Sequence, residues 1–464
     1  MSAASHTLRS RRAFLRQAGG GFGALALAAL SRPAASRAAT HFAPRATSVI
    51  WCFIDGGPSH IDLFDPKPQL AKLAGEPLPA SFVRPVTAMG VTANTPLLAS
   101  SRQFKQHGQS GLWISDWLPE LATCADELAI LRSCTADGLN HVRSVLQMNT
   151  GSLQAGRPSL GAWALYGLGS ACDNLPGFVV MADQPSDPPG SYHNWTSGPL
   201  PGTSQGTRFR AGRTPIVHLA PPPGVSRAQQ RAELDFIREL DTRYRHGRED
   251  DERLEAHIAS YELAFRMQAA APEAIDIEGE AQETRDLYGI DDHETAINGR
   301  NCLRARRLVE RGVRFVQLYF GAGSKWDAHK ALDANHSRYC RESDRPIAGL
   351  LKDLKRRGLL DTTLVIWGGE FGRTPMSESG NGRDHNPYGF TMWMAGGGVR
   401  GGMTYGATDD VGLYAVENKV HVRDLHATIL HLLGLDHTRL TYAHHGREER
   451  LTDVAGTVIH DIIH

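Results

Sequence analysis

The sequence predicts a wound α/β fold, a mostly parallel sheet with helices on both faces, on three observations. Near-continuous apolar runs of strand length recur along the chain, amphipathic helical patterns separate them, and carboxylates and imidazoles follow the runs. Strands covered on both faces read as unbroken apolar runs, and strands alternating with helices argue for crossover units. The composition agrees. The chain has 464 residues, 41% hydrophobic and 22% charged, which is ordinary for a globular protein. Fifty basic residues against fifty acidic ones exclude the strong positive charge of a nucleic-acid-binding protein.

The elements follow in chain order. Residues 1–39 hold six Arg and no acid, so without them 44 basic residues face 50 acidic ones. Ser10-Arg11-Arg12-Ala13-Phe14-Leu15-Arg16 precedes a weakly apolar run, Ala18 to Leu30, and small residues up to Ala39. A charged start, a short apolar stretch and a small-residue cleavage zone define an export signal. The paired Arg with Phe-Leu behind it is similar to a twin-arginine signal, which a translocase reads. The apolar run is shorter than the ~20 residues that span a bilayer, and no later stretch reaches that length. The mature chain, residues 40–464, is therefore expected as a single soluble domain in the periplasm or at the cell surface. Six Cys show no zinc spacing and no disulfide-scaffold density, so most read as small buried hydrophobes.

Ser48 to Asp55 is the first apolar run, closed by Asp55-Gly56-Gly57-Pro58. Similar runs occupy residues 178–181, 314–320, 362–367 and 390–394. A loop and helical insertion is expected over about 184–290: a Pro/Gly/Ser-rich stretch up to 225, then charged helices from Ser226. There Leu254, Ile258, Tyr261 and Phe265 keep the spacing of one buried face. Ile347, Leu350, Leu351 and Leu354 mark another helix, ended by Gly358, and 422–433 a last one, ended by Gly434. Gly396–Gly402 lacks the Lys-Ser/Thr of a phosphate loop and reads as turns.

In open α/β sheets ligands gather at the carboxyl ends of strands. Asp55 ends the first run. Trp326-Asp327-Ala328-His329 follows the run 314–320, Gly369-Glu370-Phe371-Gly372-Arg373 follows 362–367, and Asp384-His385 precedes 390–394. Singly each has a structural reading: Asp55 a turn residue or cap, His329 a structural imidazole, Glu370 with Arg373 and Arg383 with Asp384 ordinary ion pairs. Together they suggest a cation site. Mixed carboxylate and imidazole donors suit Zn, Mn or Fe, and carboxylates alone suit Mg or Ca.

Residues 349–402, with Asp361-Thr-Thr-Leu-Val-Ile-Trp367, resemble the C-terminal core of the alkaline phosphatase superfamily. His141-Val-Arg-Ser144-Val-Leu-Gln-Met-Asn-Thr150-Gly151 resembles the nucleophile helix of sulfatases, and Asp424–Gly434 their C-terminal helix. More closely, the chain resembles an exported, sulfatase-like bacterial family labelled only as a domain of unknown function, fifteen-oh-one. The residues that carry this are the twin-Arg start, Asp55–His60 with Phe64–Pro68, Trp326–His329, Gly369–Pro375, Asp384–Asn386 and Leu451-Thr-Asp453. The resemblance implies an alkaline phosphatase-like three-layer α/β/α sandwich. It implies a first divalent-metal site of Asp327, His329 and His385, and a second of Asp55 and Glu370. The cation implied is Zn, Mn, Ca or Mg.

Three departures stand out. Glu370-Phe371 occupies the place of the superfamily's Asp-His pair, His141 stands where a nucleophilic hydroxyl is expected, and no formylglycine motif occurs. Ser144 is a substitute nucleophile, His141 a ligand, nucleophile or base, or else a residue that packs its helix, and Arg373 a holder of an anionic oxygen. His60 is a further candidate for the site mouth. The expectation is an exported, metal-dependent hydrolase of phosphate or sulfate esters, acting on a small-molecule or polysaccharide ester. The alternative is a non-catalytic exported binding or surface-assembly protein that keeps the scaffold.

Overall fold

The computed structural model describes residues 40–464 apart from 91, 213 and 246–251. The export signal expected over residues 1–39 lies outside the described residues. Eleven strands matter for the site. In chain order they are β1 Ser48–Ile54, β2 Leu128–Thr135, β3 Phe178–Ala182, β4 Thr207–Phe209, β5 Phe315–Phe320, β6 Thr363–Gly368, β7 Gly372–Glu378, β8 Gly382–Asn386, β9 Phe390–Ala395, β10 Met403–Tyr405 and β11 Val420–His421. Nine of them form one sheet in the order β10-β2-β9-β6-β1-β5-β3-β4, with β11 also on β2. All neighbours run parallel except β9, which is antiparallel to both β2 and β6. β7 and β8 form a separate hairpin.

The helices used below are α1 His141–Thr150, α2 Leu160–Leu168, α3 Arg227–Arg245, α4 Glu252–Ile275, α5 Ala296–Glu310, α6 Leu332–Arg356 and α7 Val422–Leu432. Alternate residues of β1 show the three layers directly. Ile50, Cys52 and Ile54 pack with Leu303 and Leu308 of α5 and Leu350 and Leu354 of α6. Val49, Trp51 and Phe53 pack with Val145 of α1, Trp163 of α2 and Ile429 of α7. Every residue of β1 is buried, and each such large apolar side chain contributes roughly 1.5–3 kcal/mol. This is the three-layer α/β/α sandwich with a mostly parallel sheet that the sequence predicts. Among the described residues no helix is long and apolar enough to cross a membrane. The six cysteines are unpaired, five of them buried and Cys172 half-buried.

One central strand escaped the sequence reading. β2, Leu-Ala-Ile-Leu-Arg-Ser-Cys-Thr, is broken by Arg132 and Ser133, so it does not read as an apolar run, yet it pairs with three strands. The Pro/Gly/Ser-rich stretch carries 3-10 turns at Ser191–Trp195 and Gly202–Ser204, followed by the edge strand β4. Its start is tied to the sheet edge, where the Ser186 hydroxyl donates to the Ala322 carbonyl at 3.0 Å. α3 and α4 then supply the charged helices expected from Ser226.

Three imidazoles are buried neutral in this fold. Burial pushes His60 down to about 4, His336 to about 3 and His426 to about 4. A ring whose folded value lies below its unfolded one, about 6.5, stabilises the fold above that pH and loses the contribution as pH falls. Asp183 and Asp344 act the other way. Burial pushes both up to about 6, so their cost grows as pH rises from about 4 to 6. Three larger shifts outweigh two smaller ones. The metal-free protein is therefore expected to lose stability between pH 6.5 and 4, read as a falling urea midpoint. A midpoint that rises over that interval would contradict neutral burial of the rings.

Candidate metal centre

The carboxyl ends of β1, β2, β5 and β6 lie along one edge of the sheet. Because β9 runs backwards, the segment entering it reaches the same edge. Asp55, His141, Asp327, Glu370 and His385 therefore arrive together from positions up to 330 residues apart. Each approach has a local cause. His141 opens α1, where the Asn140 side chain accepts from the Arg143 amide at 3.1 Å and caps the helix. Asp327 and His329 follow a tight turn held by two buried carboxylates. Asp183 accepts from the amides of Gly321 and Ala322 at 2.6 and 3.0 Å, and Asp55 from those of Gly323 and Ser324 at 2.7 and 3.1 Å. His385 and Arg373 are cross-strand partners in the β7–β8 hairpin. Gly56 has φ +120°, and a Cβ there would sit 2.6 Å from the Asp327 amide nitrogen. The loop after β1 can pass this close to the Asp327 turn only without a side chain.

Three imidazole Nε2 atoms converge on the Asp327 carboxylate. His141 lies 3.2 Å from Oδ2, and His329 and His385 lie 3.0 and 3.4 Å from Oδ1. The Nε2 atoms of His329 and His385 are 3.1 Å apart. One donor atom from each of these four residues falls within 4.8 Å of the others. Every ring is oriented from behind. His141 Nδ1 meets Glu370 Oε1 at 2.7 Å, His329 Nδ1 meets Glu378 Oε2 at 2.5 Å, and His385 Nδ1 meets the Leu139 carbonyl at 2.7 Å. An acceptor at Nδ1 places the ring proton there and leaves the Nε2 lone pair facing inward, the arrangement that metal-binding histidines use. Two inward lone pairs 3.1 Å apart repel unless a proton or a cation stands between them. The donor set of three imidazoles and one carboxylate fits a divalent ion, zinc above the harder cations, that expands to five-coordination when it takes up a water.

The electrostatics point the same way. Burial opposes charge on Asp327, but the three rings around it and the Arg373 charge hold its carboxyl well below the usual range. Burial likewise opposes charge on His141, yet Asp327 and Glu370 push it up to about 9. Hydrogen bonding to Asp327 raises His329, whereas burial lowers His385. Without a cation, an imidazolium at His141 balances the carboxylates around it.

The other expected residues take different places. Glu370 orients His141 and accepts from the Gly56 amide at 3.1 Å, so it supports a ligand and stands outside the four-residue cluster. Asp55 is fully buried and clamps the Asp327 turn with Oδ2. Its Oδ1 has no partner, and burial and the Glu370 charge raise its pKa well above the usual value. The two carboxylates expected to build a second cation site thus also hold the Asp327 turn and the His141 ring. Arg373 is fully buried and does not open onto the cleft. It donates to the carbonyls of Gly56, Gly57 and Arg383, and its Nη2 lies 2.7 Å from Asp327 Oδ1. Glu370 and Arg373 are not the ion pair that their spacing allowed, and Arg383 pairs with Asp62 at 2.9 Å, not with Asp384. Ser144 Oγ is buried without a hydrogen-bond partner, packed where a Cβ on Gly138 would touch it. His60 is turned away, its Nε2 donating to the Gly412 carbonyl at 2.8 Å.

Sequence reasoning missed Glu378, the carbonyl of Leu139 and Asp183. Glu378 sits at the far end of β7 with no motif around it, and a backbone acceptor has no signature in sequence. Replacing a residue that orients a ligand typically costs about 10–100-fold in metal affinity. Glu378→Gln is accordingly expected to weaken zinc binding by that much, measured by competition with a chromophoric chelator. Unchanged affinity would show that His329 needs no such brace.

No curated protein matches this sequence. Among solved structures, similar chains include the PsFucS1 sulfatase from Pseudoalteromonas sp., at 12% identity over 89% of this chain and 71% of that one, TM-score 0.35. A protein in the alkaline phosphatase superfamily from Vibrio parahaemolyticus is similar at 10% identity over 85% and 68%, TM-score 0.35. The alkaline phosphatase from the Antarctic bacterium TAB5 is similar at 11% identity over 76% and 92%, TM-score 0.32. The family model described as protein of unknown function, DUF1501, matches residues 46–463, nearly all of the described chain, and the protein belongs to that family.

Proposed function

We propose that this chain is an exported, metal-dependent hydrolase of phosphate or sulfate esters, small or polysaccharide-linked. The observation that carries the reading is the convergence of three back-braced Nε2 atoms on Asp327. Asp327, His329, His385 and His141 would hold the cation, which when bound supplies Lewis-acid polarisation of an ester oxygen and an acidified water. The chain's own groups prepare that chemistry. Glu370, Glu378 and the Leu139 carbonyl fix the three tautomers, and Arg373 neutralises one Asp327 oxygen. Asp327 and His329 are about a quarter exposed, so the cluster opens to solvent on their side. With His141 at the hydroxyl position and Ser144 buried away from the cluster, the arrangement favours attack by water over a covalent serine intermediate.

The test is metal analysis of protein exported by its own host, followed by assay on a panel of phosphate and sulfate esters. One equivalent of a divalent metal is expected, with turnover abolished by chelation and restored by that metal. Protein free of metal that also takes none up would end the reading. Metal content without turnover of any ester would leave the scaffold as an exported binding protein.

A further inference from the structure

A cavity of about 500 Å³ that shares no lining residue with the metal centre lies between the end of α4 and the segment 214–220. Its walls include Pro215, Ile216, Leu219, Pro272 and Ile275, and Arg304 of α5 lines it from below. Ile216, Leu219 and Ile275 are only half-buried, leaving apolar surface facing the cavity. Arg304 is 2% exposed. Its Nε donates to the Ile275 carbonyl at 3.3 Å, but its Nη1 is buried with no hydrogen-bond partner among the described residues. Its neighbours on α5 have acidic partners: Arg306 pairs with Glu280, Glu310 and Asp353, and Arg307 with Glu280. Among the described residues Arg304 makes no ion pair.

A buried guanidinium without a counter-charge is costly. Burial, with the charge of Arg300, lowers Arg304 to about 10, and Glu278 opposes the shift. The acids at the rim, Asp276 and Glu278, make no ion pair with Arg304 among the described residues. Glu278 lies 4.0 Å from Arg285, and Asp276 accepts from the Glu278 amide at 3.0 Å. A largely apolar-walled cavity of this size is within the range that holds small ligands, and here a buried, unpartnered group on its wall is a cation.

We propose that this cavity binds an amphipathic monocarboxylate, its alkyl or aromatic body against Ile216, Leu219 and Ile275 and its carboxylate on Arg304. The carboxylate supplies the counter-charge that Arg304 lacks, and the guanidinium fork matches its geometry. The site is separate from the metal centre, so the proposal does not depend on ester hydrolysis.

The test uses the intact protein, with decanoate, decanol and decyltrimethylammonium titrated by calorimetry. Decanoate is expected to bind about tenfold or more tightly than decanol, the margin of a charge-assisted hydrogen bond. Arg304→Met should abolish that margin while leaving decanol unchanged, and Arg304→Lys should keep part of it. Ile216→Asp, on the outer wall, should weaken both ligands. Equal binding of decanoate and decanol to the unaltered protein would overturn the proposal. So would preference for the ammonium probe, absence of binding, or a margin that survives Arg304→Met.

Discussion

Asp327→Ala is expected to empty the metal centre and to lower ester turnover by at least about a hundredfold, beyond the loss typical of residues that merely brace a ligand. Asp327 is the one carboxylate on which all three Nε2 atoms and Arg373 converge. Its removal leaves His329 and His385 with facing lone pairs and Arg373 with no anionic partner. The variant should therefore lose stability even without metal, by about 3–5 kcal/mol, the cost of breaking a buried pair on one side. Asp327→Asn keeps the volume and some hydrogen bonds but not the charge, so it should recover stability in part and metal hardly at all. Metal content by mass spectrometry of the native protein and urea midpoints of both variants decide the matter. A metal-replete Asp327→Ala protein would show that the ion sits elsewhere.

Arg373→Met separates support from chemistry. Arg373 is fully buried and ties together the loop after β1, the β7–β8 hairpin and Asp327 through three carbonyls and one carboxylate. Methionine fills much of the space and restores none of these contacts. The expected cost is again about 3–5 kcal/mol, since three buried carbonyls and a carboxylate that is three-quarters buried lose their donor. Arg373→Lys should regain less than half of that, because one ammonium cannot span carbonyls that the planar fork reaches from three nitrogens. With a cation bound, Asp327 is neutralised independently, so added zinc should narrow the gap between Arg373→Met and the parent protein. A gap unchanged by zinc would mean that Arg373 matters only through the backbone carbonyls. A lysine variant as stable as the parent would remove the geometric argument.

Much of the chemistry was legible before any fold was known. Asp327, His329 and His385 stood out because acids and imidazoles followed apolar runs, and parallel strands deliver such residues to one edge. His141 stood out because it occupied the place of a hydroxyl in a helix of familiar pattern, although its role was open. What sequence could not resolve was which carboxylates face the three imidazoles and which hold the residues that do. Asp55 and Glu370 read as ligands of a second cation, and the fold adds that one clamps a turn and the other orients a ring. β2 escaped because its polar residues, Arg132 and Ser133, interrupt an otherwise buried strand.

The sequence by itself determined the α/β layering and the residue types at the sheet edge, because burial on two faces demands apolar runs and their ends are where polar groups can be spared. It also carried the export signal as an expectation, written in its first 39 residues. Only the tertiary structure decided that β9 runs backwards and so returns His385 to Asp327. It alone assigned Arg373 to the interior and Glu378 to the back of His329. The physical reason is that the site depends on contacts of 3.0–3.4 Å between segments brought from distant parts of the chain. Local pattern fixes which face a side chain takes, whereas the packing of those segments fixes what it meets there.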